Sequence, residues 1–200
     1  MGQTTFSGPV RSVGGFIGPS LGGGMTFTGN YYFVDPQTGS DGYQGTSPAQ
    51  PFKTLTAALA ACTEGNNDVV YLISSVEDGV TTSATLTANL DWNKDSTHLV
   101  GVCAPTVIGQ RARIKGTATA TAFNLFTLSA SNCYIANINM WGGFNTGSAT
   151  NVALTITGDR NALENVNVQG LADAASAGGA NARVVKLTGA EENTFVNCAF

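Results

Sequence analysis

FTLSASNCYIANINM (126–140) is the most informative part of the sequence, because it recurs as LTITGDRNALENVNV (154–168) with apolar residues at matching places. A third copy, VKLTGAEENTFVNCAF (185–200), matches after the insertion of one residue. An asparagine precedes the last strand of each copy, at Asn137, Asn165 and Asn197, with spacings of 28 and 32 positions. Short alternating strands repeated at this period with no helix between them are typical of a solenoid of β-coils.

Alternation within each copy predicts which side chains face the shared interior. The expected interior columns are Leu128, Ile156 and Leu187, and Ile135, Leu163 and Phe195. Each recurring asparagine lies where the chain must bend, and asparagine tolerates the left-handed backbone while its amide can bond to the next coil. We therefore expect an asparagine ladder. A weaker copy at 99–102 carries Gly101 in place of the asparagine.

The segment before the repeats predicts an entry region over residues 31–68. YYFV (31–34) reads as a short strand that Asp35-Pro36 terminates. PFKTLTAALAAC (51–62) has an apolar stripe at helical spacing, which predicts a short amphipathic helix. VVYLI (69–73) is short and β-branched, as expected of a buried strand.

Residues 1–30 have glycine, proline and serine between their apolar residues, so they cannot build a core of their own. We expect an extended arm that orders against a partner. The alternative is a frayed tail. The residues expected to contact the partner are Phe6, Val10, Arg11, Phe16 and Ile17.

YFVDPQTGSDGYQGTSPAQPFKTLTAALAAC (32–62), followed by the repeats, resembles the entry of pectate-lyase-like, right-handed parallel β-helix proteins. The resemblance implies an all-β solenoid with an N-terminal capping helix, whose coils occupy residues 69–200 after the entry segment. It is specific for fold and not for function, because this fold carries lyases, hydrolases and structural proteins. The opening TTFSGPVRSVGGFI (4–17) is similar to the N-termini of tailed-phage virion proteins.

Composition restricts the partners and cofactors. Nine Lys and Arg against 13 Asp and Glu give a net charge of -4, so nucleic acid is not an expected partner. The four cysteines form no metal-binding cluster and are expected as buried thiols, so no metal or cofactor is predicted. No signal peptide or membrane-spanning run is evident, which predicts synthesis in the host cytoplasm as a soluble protein.

The repeats also predict an absence of catalysis. Glu164 points outward, but the equivalent positions hold Ala136 and Val196, so no second acid stacks beside it. His98, the single histidine, has no evident triad partner. We therefore predict no catalytic residues and no enzymatic activity.

Two functions follow as hypotheses. The first is a structural virion protein, in the capsid, a head fibre or the tail, attached through the arm and forming homo-oligomers, with a trimer favoured. The alternative is a tailspike-like protein that binds or degrades host surface polysaccharide. Trp141 and Phe144, with Tyr43, are expected in loops as contacts for a glycan or a protein, or as packing over the helix edge. The last coil stops at 198–200, so we expect a partner to cover it or the natural chain to continue.

Overall fold

The computed structural model describes residues 27–73, 76–77, 80–81, 83–102, 112–117, 124–142, 152–169 and 183–200. The elements in chain order are β1 (Tyr31–Val34), α1 (Leu55–Ala61), β2 (Val69–Ile73), β3 (Val76–Glu77), β4 (Val80–Thr81), β5 (Ser83–Leu86), β6 (Leu90–Trp92), β7 (His98–Val102), β8 (Arg113–Gly116), β9 (Phe126–Leu128), β10 (Tyr134–Ala136), β11 (Asn139–Trp141), β12 (Val152–Ile156), β13 (Ala162–Glu164), β14 (Asn167–Gln169), β15 (Arg183–Leu187) and β16 (Thr194–Val196).

Three parallel sheets run along the molecule, and successive coils add one strand to each. Sheet I has the order β1-β2-β7-β10-β13-β16, sheet II the order β5-β8-β11-β14, and sheet III the order β6-β9-β12-β15. Apart from the antiparallel pair β3 and β4, every strand pairing in the described residues is parallel. This architecture confirms the predicted parallel β-helix.

The predicted columns align along the molecule: Leu128, Ile156, Ile135 and Leu163 are buried, whereas in the last coil Phe195 is partly buried and Leu187 is 50% exposed. In sheet III, Ile156 pairs with Leu128 on one side and Leu187 on the other. In sheet I, Leu163 pairs with both Ile135 and Phe195. Lateral stacking therefore gives each coil its apolar core, because a single coil could not bury these side chains alone.

The recurring asparagines adopt the left-handed backbone. The φ angles of Asn137, Asn165 and Asn197 are 56°, 52° and 50°. The Asn165 side-chain Nδ2 donates to Asn137 Oδ1 at 3.2 Å. Each bend thus places a polar amide where the next coil can bond to it.

A second polar column stabilises the turn that precedes sheet I. Asn161 Oδ1 accepts from the Cys133 N–H at 2.8 Å, and the N–H of Asn161 donates to Asn193 Oδ1 at 2.9 Å. Asn161 is buried, so these bonds satisfy backbone groups that water cannot reach. This column does not stand out in the sequence, because cysteine occupies the equivalent position in the first copy and the inserted residue shifts Asn193 in the third.

The position of Gly101 differs from the predicted one, in which this glycine takes the place of the asparagine at a bend. It lies inside β7, where it pairs with Leu72, and does not occupy a left-handed bend. A Cβ built on it would lie 2.1 Å from the Asn137 carbonyl oxygen and 2.6 Å from the Ala112 Cβ. Glycine is required at this position because the next coil approaches closely, and not because the chain turns there.

The predicted helix caps the first coils. Its N-cap is Thr54, and the residues at helical spacing, Phe52, Leu55, Ala58, Leu59 and Cys62, are all buried in the common core. Within the described residues, no helix is long and apolar enough to cross a membrane.

Residues 27–30 lie against the outside of sheet I. The N–H of Asn30 donates to an Asp68 carboxylate oxygen at 2.6 Å, and the Phe27 ring lies over the His98 imidazole with centroids 4.5 Å apart. The end of the predicted arm therefore contacts the β-helix itself. The other proposed arm contacts, Phe6, Val10, Arg11, Phe16 and Ile17, lie outside the described residues.

Candidate functional site

The outer face of sheet II is the strongest candidate site. Side chains alternate along its strands, so Ala84, Ile114, Met140 and Val168 are buried in the core while the residues between them point outward. Parallel pairing aligns the outward residues in two columns. We call the following eight residues the sheet II face: Ser83, Arg113, Asn139 and Asn167 in one column, and Thr85, Lys115, Trp141 and Gln169 in the other.

The sheet II face combines cations, amides and one indole ring. The Arg113 Nε donates to Asn139 Oδ1 at 2.9 Å, and the guanidinium carbon lies 5.3 Å from the centroid of the Trp141 ring. These two contacts hold the guanidinium in place, because the planar group both bonds to the amide and stacks on the ring. Trp141 remains 38% exposed, and Lys115 is exposed beside it.

One polar atom of this face has no partner. Asn139 is 1% exposed, and its Nδ2 makes no hydrogen bond in the described part of the chain. A buried donor without an acceptor costs roughly 1–3 kcal/mol. Strand packing therefore does not explain why an asparagine with an unpaired amide group occupies this buried position.

The charge of the sheet II face is opposite to that of the whole chain. Its eight residues include two cations, Arg113 and Lys115, and no carboxylate, whereas the chain carries a net charge of -4. Neighbouring strands are about 4.8 Å apart, so a column of four side chains extends over roughly 14 Å. Chemically, this strip can neutralise acidic groups, donate hydrogen bonds to oxygens and stack on a ring.

Of the residues that the sequence predicted as ligand contacts, one lies on this face, but in a strand and not in the predicted loop. Trp141 was expected in a loop, but it ends β11 and is aligned with Lys115 and Gln169. Its expected companion Phe144 lies outside the described residues. Arg113 and Lys115 were missed because β8 does not match the repeat, although their alternation with Ile114 was a usable signal.

A second polar group lies on the outer face of sheet I. The hydroxyl of Tyr134 donates to Glu164 Oε2 at 2.7 Å, and the N–H of Tyr134 donates to His98 Nδ1 at 3.0 Å. Burial, reinforced by Glu164, raises the pKa of Tyr134, and burial lowers the pKa of His98 to about 4. Glu164 and His98 are therefore linked through one tyrosine, although the sequence suggested a partner for neither.

Two acids of the turns before sheet I, Asp159 and Glu192, have structural partners. Asp159 Oδ1 accepts from the Glu191 N–H at 2.8 Å, and Glu192 lies 3.8 Å from Arg160 on the exposed side of the turn. Within the described ranges, no three His, Cys, Asp or Glu side chains gather where they could hold a metal ion.

No known protein family matches this sequence, and no curated protein is similar to it. Solved structures do match. A pectin methylesterase bound to a hexasaccharide has a TM-score of 0.56 at 19% identity, covering 88% of this chain and 49% of that chain. Pectin methylesterase PemA from Erwinia chrysanthemi has a TM-score of 0.57 at 18% identity over 88% and 49%. A rhamnogalacturonan lyase has a TM-score of 0.52 at 15% identity over 85% and 51%.

These likenesses show that the chain has a parallel β-helix fold. The chain spans about half the length of the solved structures it matches. At 15–19% sequence identity, the likeness to these structures shows the fold alone.

The comparisons contradict the expectation that this protein has no enzymatic activity. The solved structures named above are esterases and a lyase, so the fold gives no ground for excluding catalysis. The expectation was wrong because the lack of stacked acids and of a triad partner for His98 does not exclude catalysis by groups from different columns. Tyr134 and Glu164 meet diagonally, since Tyr134 pairs with Ala162 and Glu164 follows two residues later.

Proposed function

We propose that this protein binds an acidic polysaccharide along the sheet II face, as a tailspike-like β-helix would bind a surface glycan. The observation that carries the proposal is the aligned strip of Lys115, Trp141 and Gln169, with Arg113 stacked on the indole. Attachment to a virion, the oligomeric state and a role for residues 1–30 remain predictions from the sequence.

Each side chain has a distinct role in the proposed complex. The exposed face of Trp141 packs against the apolar side of a sugar ring, because an indole offers a large rigid surface. Arg113 and Lys115 bind the acidic groups, and the guanidinium can bind a carboxylate through two hydrogen bonds. The partly exposed amide of Gln169 recognises oxygens of the polysaccharide, while the buried Asn139 positions the Arg113 guanidinium. The solved structures of similar fold include a hexasaccharide complex, which is consistent with a sugar chain as the ligand.

The geometry favours an extended ligand over a small molecule. Side chains that line the face come from four consecutive coils, so a polymer parallel to the long axis would contact each coil in turn. The absence of carboxylates among the eight residues removes repulsion toward an acidic polymer.

The proposal is tested by measuring the affinity of the full chain for acidic and neutral polysaccharides at low and high salt. We expect Trp141→Ala to weaken binding about tenfold, equivalent to roughly 1.4 kcal/mol, and Lys115→Gln to weaken it mainly at low salt. Tyr31→Ala and Lys186→Gln are the matched controls, because these exposed residues lie on sheets I and III, outside the sheet II face. Equal losses in the variants and their controls would contradict the proposal. Product release from each bound polysaccharide, measured in parallel, shows whether binding leads to turnover.

A further inference from the structure

We propose that residues 27–30 form an acid-sensitive clasp on sheet I, which neutral His98 holds closed and which opens when that imidazole takes up a proton. The inference is independent of polysaccharide binding, because the clasp and the sheet II face involve different sheets.

The clasp is held at both ends. At one end, the Phe27 ring lies over His98, and its carbonyl accepts from the Tyr31 hydroxyl at 3.0 Å. At the other end, the N–H of Asn30 donates to Asp68 at 2.6 Å, and the Asn30 carbonyl accepts from the Val69 N–H at 2.8 Å. Opening at the Phe27 end therefore exposes the histidine.

The closed arrangement requires an uncharged imidazole. His98 is 3% exposed, and its Nδ1 accepts from the Tyr134 N–H, so the neutral ring carries its hydrogen on Nε2. Protonation would place a second hydrogen on Nδ1, directly facing the Tyr134 N–H. The charge would also be shielded from water in the closed clasp, and this loss of hydration is unfavourable. Consistent with this, burial lowers the pKa of His98 to about 4.

The groups that face His98 do not remove this cost. Asp68 favours the charged imidazole, but its carboxylate already accepts from the N–H groups of Asn30 and Thr63 and from Asn66 Nδ2. Tyr134 donates its hydroxyl to Glu164, and burial raises its pKa, so it stays neutral.

The direction of the pH dependence follows from comparing the closed and open clasp. Above pH 6.5 the imidazole is neutral in both states, so pH has no effect on closure. Between pH 6.5 and 4 only the open state takes up the proton, so opening becomes more favourable as the pH falls. If opening restores the ordinary pKa of 6.5, the opening equilibrium constant rises by up to about 300-fold below pH 4.

The chain has a single histidine, so an NMR titration can follow the pKa of this imidazole without overlap from other histidines. We expect a pKa near 4 in the wild-type chain. Phe27→Ala should raise this pKa toward 6.5, because it uncovers the ring. The control is Phe33→Ala, which removes a ring of the same sheet that stacks on Tyr71; it should leave the His98 pKa unchanged. An ordinary wild-type pKa, or equal pKa values in Phe27→Ala and the wild type, would overturn the proposal.

Hydrogen exchange measures opening itself. The protection factor of the Asn30 amide should fall between pH 6.5 and 4, while that of the Asn139 amide, which donates to Ala112 in the adjacent coil of sheet II, should stay constant. His98→Gln keeps an acceptor for Tyr134 but does not titrate, so the fall at Asn30 should disappear. If the fall persists in His98→Gln, Asp68 and not His98 is the sensor, and the proposal is wrong.

Discussion

At the scale of single residues, the molecule places left-handed backbone where coils bend. Two sets of positive φ angles mark the turns on either side of sheet I: Asn67, Ser96, Asn132, Arg160 and Glu192 before it, and Asn137, Asn165 and Asn197 after it. The second set consists of asparagine alone, and Asn165 bonds to Asn137. In the first set, side chains of different types occupy the same backbone conformation, so the bend itself does not require asparagine. We infer that asparagine is retained after sheet I for its amide.

Asn165→Ala should lower the free energy of unfolding by about 1–3 kcal/mol, because it removes both the amide and a residue tolerant of positive φ. Asn165→Gly is the control, since glycine accepts the backbone angle and loses only the amide. We expect its cost to be about half that of alanine. Urea midpoints measure both. Equal midpoints for Asn165→Ala and the wild type would contradict the ladder. Asn167→Ala is a weaker comparison because Asn167 is itself buried on sheet II.

At the scale of elements, α1 is fixed at its start by one side chain. The Thr54 Oγ1 accepts from the Ala57 N–H at 3.1 Å, and its hydroxyl donates to Asp41 at 2.9 Å. Asp41 also accepts from the N–H groups of Lys53 and Thr54, both at 2.9 Å. The long turn between β1 and α1 is therefore linked to the first turn of the helix, which covers the first coils.

Thr54→Ala should destabilise the protein by about 0.5–2 kcal/mol, because it leaves a helix N–H without its acceptor. Thr56→Ala, two residues later on the exposed side of the same helix, should change the stability by less than about 0.5 kcal/mol. Chemical denaturation of the two variants gives the comparison. A larger loss for Thr56→Ala than for Thr54→Ala would show that the cap is unimportant.

At the scale of the whole molecule, the outer faces of the sheets differ in chemistry. The sheet II face carries cations and amides, whereas sheet I exposes Tyr31, Val102 and Val196 along its outer side. Residues 27–30 cross sheet I at Val69 and His98, which point outward and are nevertheless buried. Residues 27–30, which were predicted to be the end of the arm, therefore pack as part of the β-helix.

Removing residues 1–26 should leave the β-rich circular dichroism spectrum and the melting temperature close to those of the full chain. Removing residues 1–30 also deletes the Phe27 and Asn30 contacts and uncovers Val69, so we expect a melting temperature lower by roughly 4–8 °C for a loss of about 2 kcal/mol. Thermal melts of the two truncated chains test this. Equal melting temperatures would mean that the clasp adds no stability.

The parallel β-helix, the capping helix and the bends at Asn137, Asn165 and Asn197 could all be predicted from the sequence alone. Each depends on a local pattern: alternation, helical spacing, or a residue type suited to left-handed backbone. Alternation also shows which side chains point outward. It cannot show which outward side chains become neighbours, because those come from coils about 28 positions apart in the chain. Only the tertiary structure aligned Lys115 with Trp141, joined Tyr134 to Glu164, and placed Phe27 on His98. The physical reason is that lateral pairing sets the register between coils, and a site on a solenoid is built across coils and not along them.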